Sequence, residues 1–113
     1  MESKATSRYN RQSARKMRKV LNQVRGFKVG DAINYLHFSP EKASVVIEKT
    51  IRSALANLMQ VDGNNDLDPD LIQIKEAYVN QGPVMKRFRA ASMGRASRLR
   101  RPTSHLTVVL TTE

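Results

Sequence analysis

From Ala77 to Thr112 the chain contains no acidic residue, yet the stretch holds Lys86, Arg87, Arg89, Arg95, Arg98, Arg100 and Arg101. Cations at this density without counter-ions repel one another. Val84, Met85, Phe88, Met93 and Leu99 are too few and too scattered to give the segment a core of its own. It must be carried by structure on either side and lie against something polyanionic, and nucleic acid is the first candidate.

Both flanks read as strands. Leu106, Val108 and Leu110 alternate with Thr107, Val109 and Thr111, the period of a half-buried strand. Leu71 to Val79 is rich in Ile, Leu, Tyr and Val, and its alternation falters at Lys75-Glu76, where a bulge fits. If the two pair antiparallel, residues 81–103 run out and back as a long basic hairpin turning near Ala90-Ala91-Ser92-Met93-Gly94. A two-stranded ribbon alone is marginal in water, so this one takes its order from its surroundings.

The remainder has helical periodicity. Met17, Val20, Leu21 and Val24 form one stripe, with Ser13 as N-cap and Gly26 just past the C-terminus. Burying that stripe turns Arg15, Lys16, Arg18, Lys19 and Arg25 outward, and with no acidic residue from Ser3 to Gly30 no i,i+4 pair relieves them. This favours phosphate contact over mere solvation of the face. Val29, Ala32, Ile33 and Leu36 predict a short second helix. Ser39-Pro40 supplies an N-cap and a proline at N1 for a third, whose broad apolar face is Ala43, Val46, Ile47, Ile51, Ala54, Leu55 and Leu58. It ends at Asp62-Gly63-Asn64-Asn65, and Asp66 to Asp70 continues as an acidic loop from which nucleic acid should stay away. Asp31 to Glu76 holds most of the acidic residues and reads as the ordinary soluble part of the fold.

At 113 residues the chain fits a single domain, 1–113, with 81–103 as a hairpin within it. A formal net charge of +10 suits a phosphate partner, because each phosphate contact releases a counter-ion. With 5% aromatic residues and no Trp, base stacking is a minor mechanism. No stretch is apolar enough to span a bilayer and the N-terminus lacks the apolar run of a signal peptide, so the chain reads as intracellular and without a membrane partner. The absence of cysteine excludes disulfides and thiolate zinc sites. His37 and His105 lack metal-ligand spacing and read as solvated or hydrogen-bonded side chains. No phosphate-cradling glycine loop, paired carboxylates or nucleophile set is present, and Ser104-His105 point to opposite faces of a strand. The sequence therefore calls for no catalysis, no cofactor and no metal. Helix-turn-helix recognition of DNA ranks second, because the short second helix offers only Asp31, Asn34, Tyr35 and His37 as polar readers. Charge presented from a helix, an N-terminal arm and a ribbon suits folded RNA gripped by its backbone.

Ser13-Ala14-Arg15-Lys16-Met17-Arg18, Ser53-Ala54-Leu55-Ala56-Asn57, Gly82-Pro83-Val84-Met85-Lys86-Arg87, Gly94-Arg95-Ala96 and Thr103-Ser104-His105-Leu106-Thr107-Val108-Val109 carry a resemblance, in order and spacing, over nearly the full chain. They resemble the bacterial large-ribosomal-subunit protein L twenty-two family. The resemblance implies an α+β fold, with three helices packed on a small three-stranded antiparallel sheet and a long protruding β-hairpin. The third strand would be the polar N-terminal segment Lys4 to Tyr9. It further implies a structural constituent of the large ribosomal subunit, cytoplasmic, supporting assembly and contacting neighbouring subunit proteins, including protein L four across the nascent-peptide tunnel.

Charge and resemblance together assign ribosomal RNA contacts to Arg8, Arg11, Arg15, Lys16, Arg18, Lys19, Arg25 and Lys28, and to Lys86, Arg87, Arg89, Arg95, Arg98, Arg100, Arg101 and His105. The tip that would line the tunnel and touch the nascent polypeptide is Arg87, Phe88, Arg89, Ala90, Ala91, Ser92, Met93 and Gly94. The chain departs from the family pattern at Asn80-Gln81, at Ala90 to Met93, and at Pro102, which cannot donate a ladder hydrogen bond and makes the returning arm irregular there. The alternative is a free nucleic-acid-binding module with regulatory or architectural work.

Overall fold

The computed structural model of the chain describes residues 2–62, 68–90 and 96–112, with side chains for residues 2–60, 68–86 and 101–112. In order, the elements are β1 (Glu2–Asn10), α1 (Ala14–Val24), α2 (Val29–His37), α3 (Lys42–Asp62), a 3-10 turn (Pro69–Leu71), β2 (Ile72–Gln81), β3 (Met85–Ala90), β4 (Ala96–Arg101) and β5 (Ser104–Thr112). The architecture is α+β, as expected. The three-stranded sheet runs β1-β5-β2, with both pairings antiparallel, and β3-β4 form a separate two-stranded sheet.

The strand expected from Leu106, Val108 and Leu110 is the central one, and those three side chains are fully buried. Ala77 and Val79 of β2 and Ala5 of β1 join them under the helices. The faltering alternation in β2 is a bulge: Ile74 faces Leu110 whereas Glu76 faces Val109. Before it the buried positions are even-numbered and after it odd-numbered, so the extra residue keeps Ile72 and Val79 on the same side.

All three apolar stripes face inward. Met17, Val20, Leu21 and Val24 of α1, Val29, Ala32, Ile33 and Leu36 of α2, and Ala43, Ile47, Ile51, Ala54 and Leu58 of α3 are buried. Gly26 takes φ +84°, the left-handed conformation that ends α1 without a Cβ penalty. One expectation is corrected. Ser39 and Pro40 do not open α3: Ser39 Oγ accepts from Glu41 N, the segment forms a turn, and helix begins at Lys42. The acidic loop is described only from Asp68, where a 3-10 turn starts, and Leu71 lies in that turn rather than in the strand. Residues 63–67 lie outside the described ones.

β1 is ordered by pairing. It has almost nothing apolar, but Ser3 Oγ donates to Ala54 O at 2.6 Å and Asn57 Nδ2 donates to Lys4 O at 3.2 Å, fastening it along α3. Across the open face of the sheet Lys75 Nζ donates to Glu2, a bond that raises the ammonium's pKa from its ordinary 10.5. No helix among the described residues is long and apolar enough to cross a membrane.

Between the two sheets the ladder is broken. Gln81 pairs with Ser104 and Met85 with Arg101, which leaves residues 82–84 opposite 102–103, with a proline on each side. The irregularity expected at Pro102 is this break. Gly82 N donates to Thr103 O at 2.9 Å and Thr103 Oγ1 donates to Pro83 O at 2.6 Å. A Cβ on Gly82 would lie 2.5 Å from Thr103 Oγ1 and 3.0 Å from His105 Nε2. Gly82→Ala is therefore predicted to cost about 1–3 kcal/mol in urea unfolding, as overpacking does. Combining it with Thr103→Ala should cost less than the sum of the single changes, because the second removes the clashing atom. Strictly additive losses would show that the contact is not tight.

Candidate nucleic-acid interface

The basic face begins at the start of α1, where Ser13 Oγ accepts from Lys16 N at 3.3 Å. With the apolar stripe buried, Arg15, Lys16, Arg18 and Lys19 are all exposed. The first turn contains no acidic residue. Arg15 and Lys16 thus sit beside the positive end of the helix dipole, an arrangement unfavourable by about 0.3–1 kcal/mol per charge at low ionic strength. An anion placed there reverses the sign of that interaction.

One of these cations has a second occupation. Arg18 donates from Nε and Nη2 to Val79 O, at 3.1 and 2.6 Å, and so covers part of the free edge of β2. Farther along, Arg25 Nε donates to Asn22 Oδ1 at 2.8 Å, and Lys28 precedes α2 while its backbone bridges Gln73. Arg8 is exposed on β1.

The entry to α1, the start of α3 and the root of the arm enclose an open groove of about 780 Å³. Arg11, Lys16 and Lys19 line it from α1 and the segment before it, Lys42 from α3 and Arg101 from β4; among the described residues Glu41 is the one acidic residue along it. Met85 and Pro102 supply its apolar surface, with the buried Val20 and Ala43 beneath. Among the described residues, the ion pairs do not involve any of these five cations. Glu48 takes His37 at 3.3 Å and Arg52 at 3.0 Å elsewhere on the surface.

His105 lies at the arm root. Its Nδ1 accepts from Tyr9 N at 3.0 Å, its ring meets the Tyr9 ring edge-on at 4.9 Å, and its Nε2 faces Gly82. The accepting Nδ1 places the ring proton of the neutral imidazole on Nε2. Tyr9 adopts φ +57°, unusual for a residue with a Cβ, where β1 shifts register between Ser7 and Asn10. Among the described residues no cluster of His, Asp or Glu could hold a metal ion.

In the arm, the register sets Lys86 opposite Arg100, Arg87 opposite Leu99, Phe88 opposite Arg98, Arg89 opposite Ser97 and Ala90 opposite Ala96. Like charges placed directly opposite weaken a ladder. The side chains of Arg87, Phe88, Arg89, Ala90, Arg98 and Arg100, and residues Ala91, Ser92, Met93, Gly94 and Arg95 altogether, lie outside the described ones. Of the residues singled out from sequence, the structure brings Arg11, Lys16, Lys19 and Arg101 to one groove and leaves Arg8, Arg25 and Lys28 apart from it. Lys42 belongs to that groove and escaped notice because it stands in the mixed-charge middle of the chain. Gln12, which also lines it, carries no signal in the sequence.

Helices on one face of a three-stranded sheet, with a basic two-stranded arm leaving it, define a cationic α+β protein. Residues 5–111 match the family model described as ribosomal protein L22p/L17e. Over 110 residues, 97% of the chain, it is 49% identical to the large ribosomal subunit protein uL22 of Syntrophotalea carbinolica and 43% identical to that of Halothermothrix orenii, covering 97% and 95% of those proteins. The uL22 of Leptospira biflexa is 46% identical over the same share of the chain. The chain belongs to the ribosomal protein L22p/L17e family.

The double duty of Arg18 distinguishes it from its neighbours. Arg18→Gln should lower stability by about 1–3 kcal/mol, since a charge-assisted bond to a carbonyl is removed. Arg15→Gln and Lys16→Gln should be neutral or slightly stabilising at low salt. Urea melts of the three variants check this, and equal effects at all three positions would refute it.

Proposed function

We propose that this protein is a structural, non-catalytic constituent of the large ribosomal subunit in the cytoplasmic ribosome, and that it binds ribosomal RNA. Family membership supports the first part. The observation that carries the second is the groove where Arg11, Lys16, Lys19, Lys42 and Arg101 converge from three elements without ion-pair partners among the described residues. A cation in the first turn of α1, where no acidic residue offsets it, is electrostatically costly alone and favourable against phosphate. In this reading residues 1–113 act as one domain whose arm, 81–103, penetrates the RNA. Lys86, Arg87, Arg98, Arg100 and Arg101 grip phosphate. The small tip, Ala90 to Gly94, borders the path of the nascent polypeptide, with protein L four across it. Binding as a free regulatory module is the competing reading, and retention on the large subunit through a high-salt sedimentation separates the two.

Replacing Arg15, Lys16 and Lys19 by Gln, with Arg18 left in place, should keep the fold intact and weaken RNA binding. The slope of log K against log salt should fall by about 0.7–0.9 for each phosphate no longer neutralised. An unchanged slope with unchanged affinity would mean that the face is only solvated.

Deleting residues 90–94 tests the tip separately. Large-subunit yield by sedimentation should be close to normal, whereas stalling at an arrest peptide in the same strain should change. A deletion that blocks assembly as severely as neutralising the arm charges, or leaves stalling untouched, rejects the assignment.

A further inference from the structure

The groove is more than a charged strip. It has depth, an apolar surface formed by Met85 and Pro102 over the buried Val20 and Ala43, and cations placed along its rim. A phosphate backbone passing over a surface needs only the rim. An apolar recess beside the rim suits the flat face of a base and its ribose, and about 780 Å³ is ample for one nucleotide. Gln12, in the same wall, supplies the polar group that would read such a base. Its Oε1 is shielded from solvent and accepts no hydrogen bond among the described residues. Turning that amide toward the groove would gain a bond without breaking one, because a shielded acceptor without a partner has already given up its water.

We propose that this groove receives a single unpaired nucleotide of the bound RNA, its phosphate among Lys16, Lys42 and Arg101, its base against Met85 and Pro102, and a base N–H donating to Gln12 Oε1. The inference rests on the RNA-binding reading above and adds to it a particular kind of contact. Each of the four RNA bases carries an N–H donor, so the site selects an exposed base over a paired one before it selects among bases. The charge along the rim disfavours a cationic or neutral peptide as occupant.

The test uses the full chain, isotopically labelled, and follows backbone amides by nuclear magnetic resonance. It is titrated separately with the four nucleoside 5′-monophosphates, with inorganic tripolyphosphate as a charge-only probe, and with hexaglutamate as an acidic peptide. At least one monophosphate should shift the amides of Gln12, Ala43 and Met85 saturably, while tripolyphosphate shifts those of Lys16 and Lys42 and leaves Met85 in place. Gln12→Leu should weaken the monophosphate about fivefold, the effect of removing one hydrogen bond, and leave tripolyphosphate binding unchanged. Lys42→Gln should weaken both probes.

Identical shift patterns for nucleotide and tripolyphosphate, or no effect of Gln12→Leu, would overturn the nucleotide site. The same follows if hexaglutamate saturates these amides at equal concentration. The RNA-binding reading would survive those results as long as Lys16→Gln still lowers affinity for large-subunit RNA and its salt slope. If that RNA binding is absent while the monophosphate still saturates the groove, the broader reading falls and the pocket stands.

Discussion

Everything in this fold is hung on β5. It is the last described strand in sequence and the middle one in space, and each of its neighbours is an edge strand that has no other partner in the sheet. Burial of Leu106, Val108 and Leu110 against the helices places it there. Because β2 must be followed by a strand that returns alongside it, whatever lies between the two is compelled to form an out-and-back excursion. The arm is therefore a consequence of sheet topology as much as of its own sequence, which has little capacity to order itself.

Legibility followed apolar content. The three helical stripes and β5 were readable because their buried side chains repeat at the period of the element. The bulge at Lys75-Glu76 was readable as a fault in alternation, and the fault is what preserves the inward face. β1 was invisible to periodicity, since Glu2–Asn10 is nearly all polar and its order comes from Ser3 and Asn57 bonds to distant backbone; only family resemblance pointed to it. Ser39-Pro40 misled because a capping pair also makes a good turn, and the turn won by two residues. The groove could not be read at all. Arg11, Lys42 and Arg101 are far apart in sequence, and their meeting depends on how α1, α3 and the arm root pack.

The cations divide by what the fold asks of them. Arg18 serves the sheet edge through Val79, and Arg25 holds Asn22. Among the described residues, Arg15, Lys16 and Lys19 have no such employment, and the positive end of the α1 dipole adds to the imbalance. A surface left unfavourable in this way stores affinity for an anion, because neutralising it improves both partners. The imidazole of His105 at the arm root plays a different part, since it accepts from the Tyr9 backbone N–H and holds that positive-φ residue where β1 shifts register.

The uneven break between the two ladders, three residues against two with a proline in each, has a consequence for how such proteins can vary. Strand register cannot be transmitted through a gap that lacks continuous pairing. A residue inserted into the arm or deleted from it would shift β3 against β4 and stop there, leaving β2, β5 and the core face of the sheet undisturbed. The globular part and the arm are in this respect separable inheritances. Natural variation can lengthen, shorten or re-charge the projection to fit its surroundings while the scaffold that carries it stays the same.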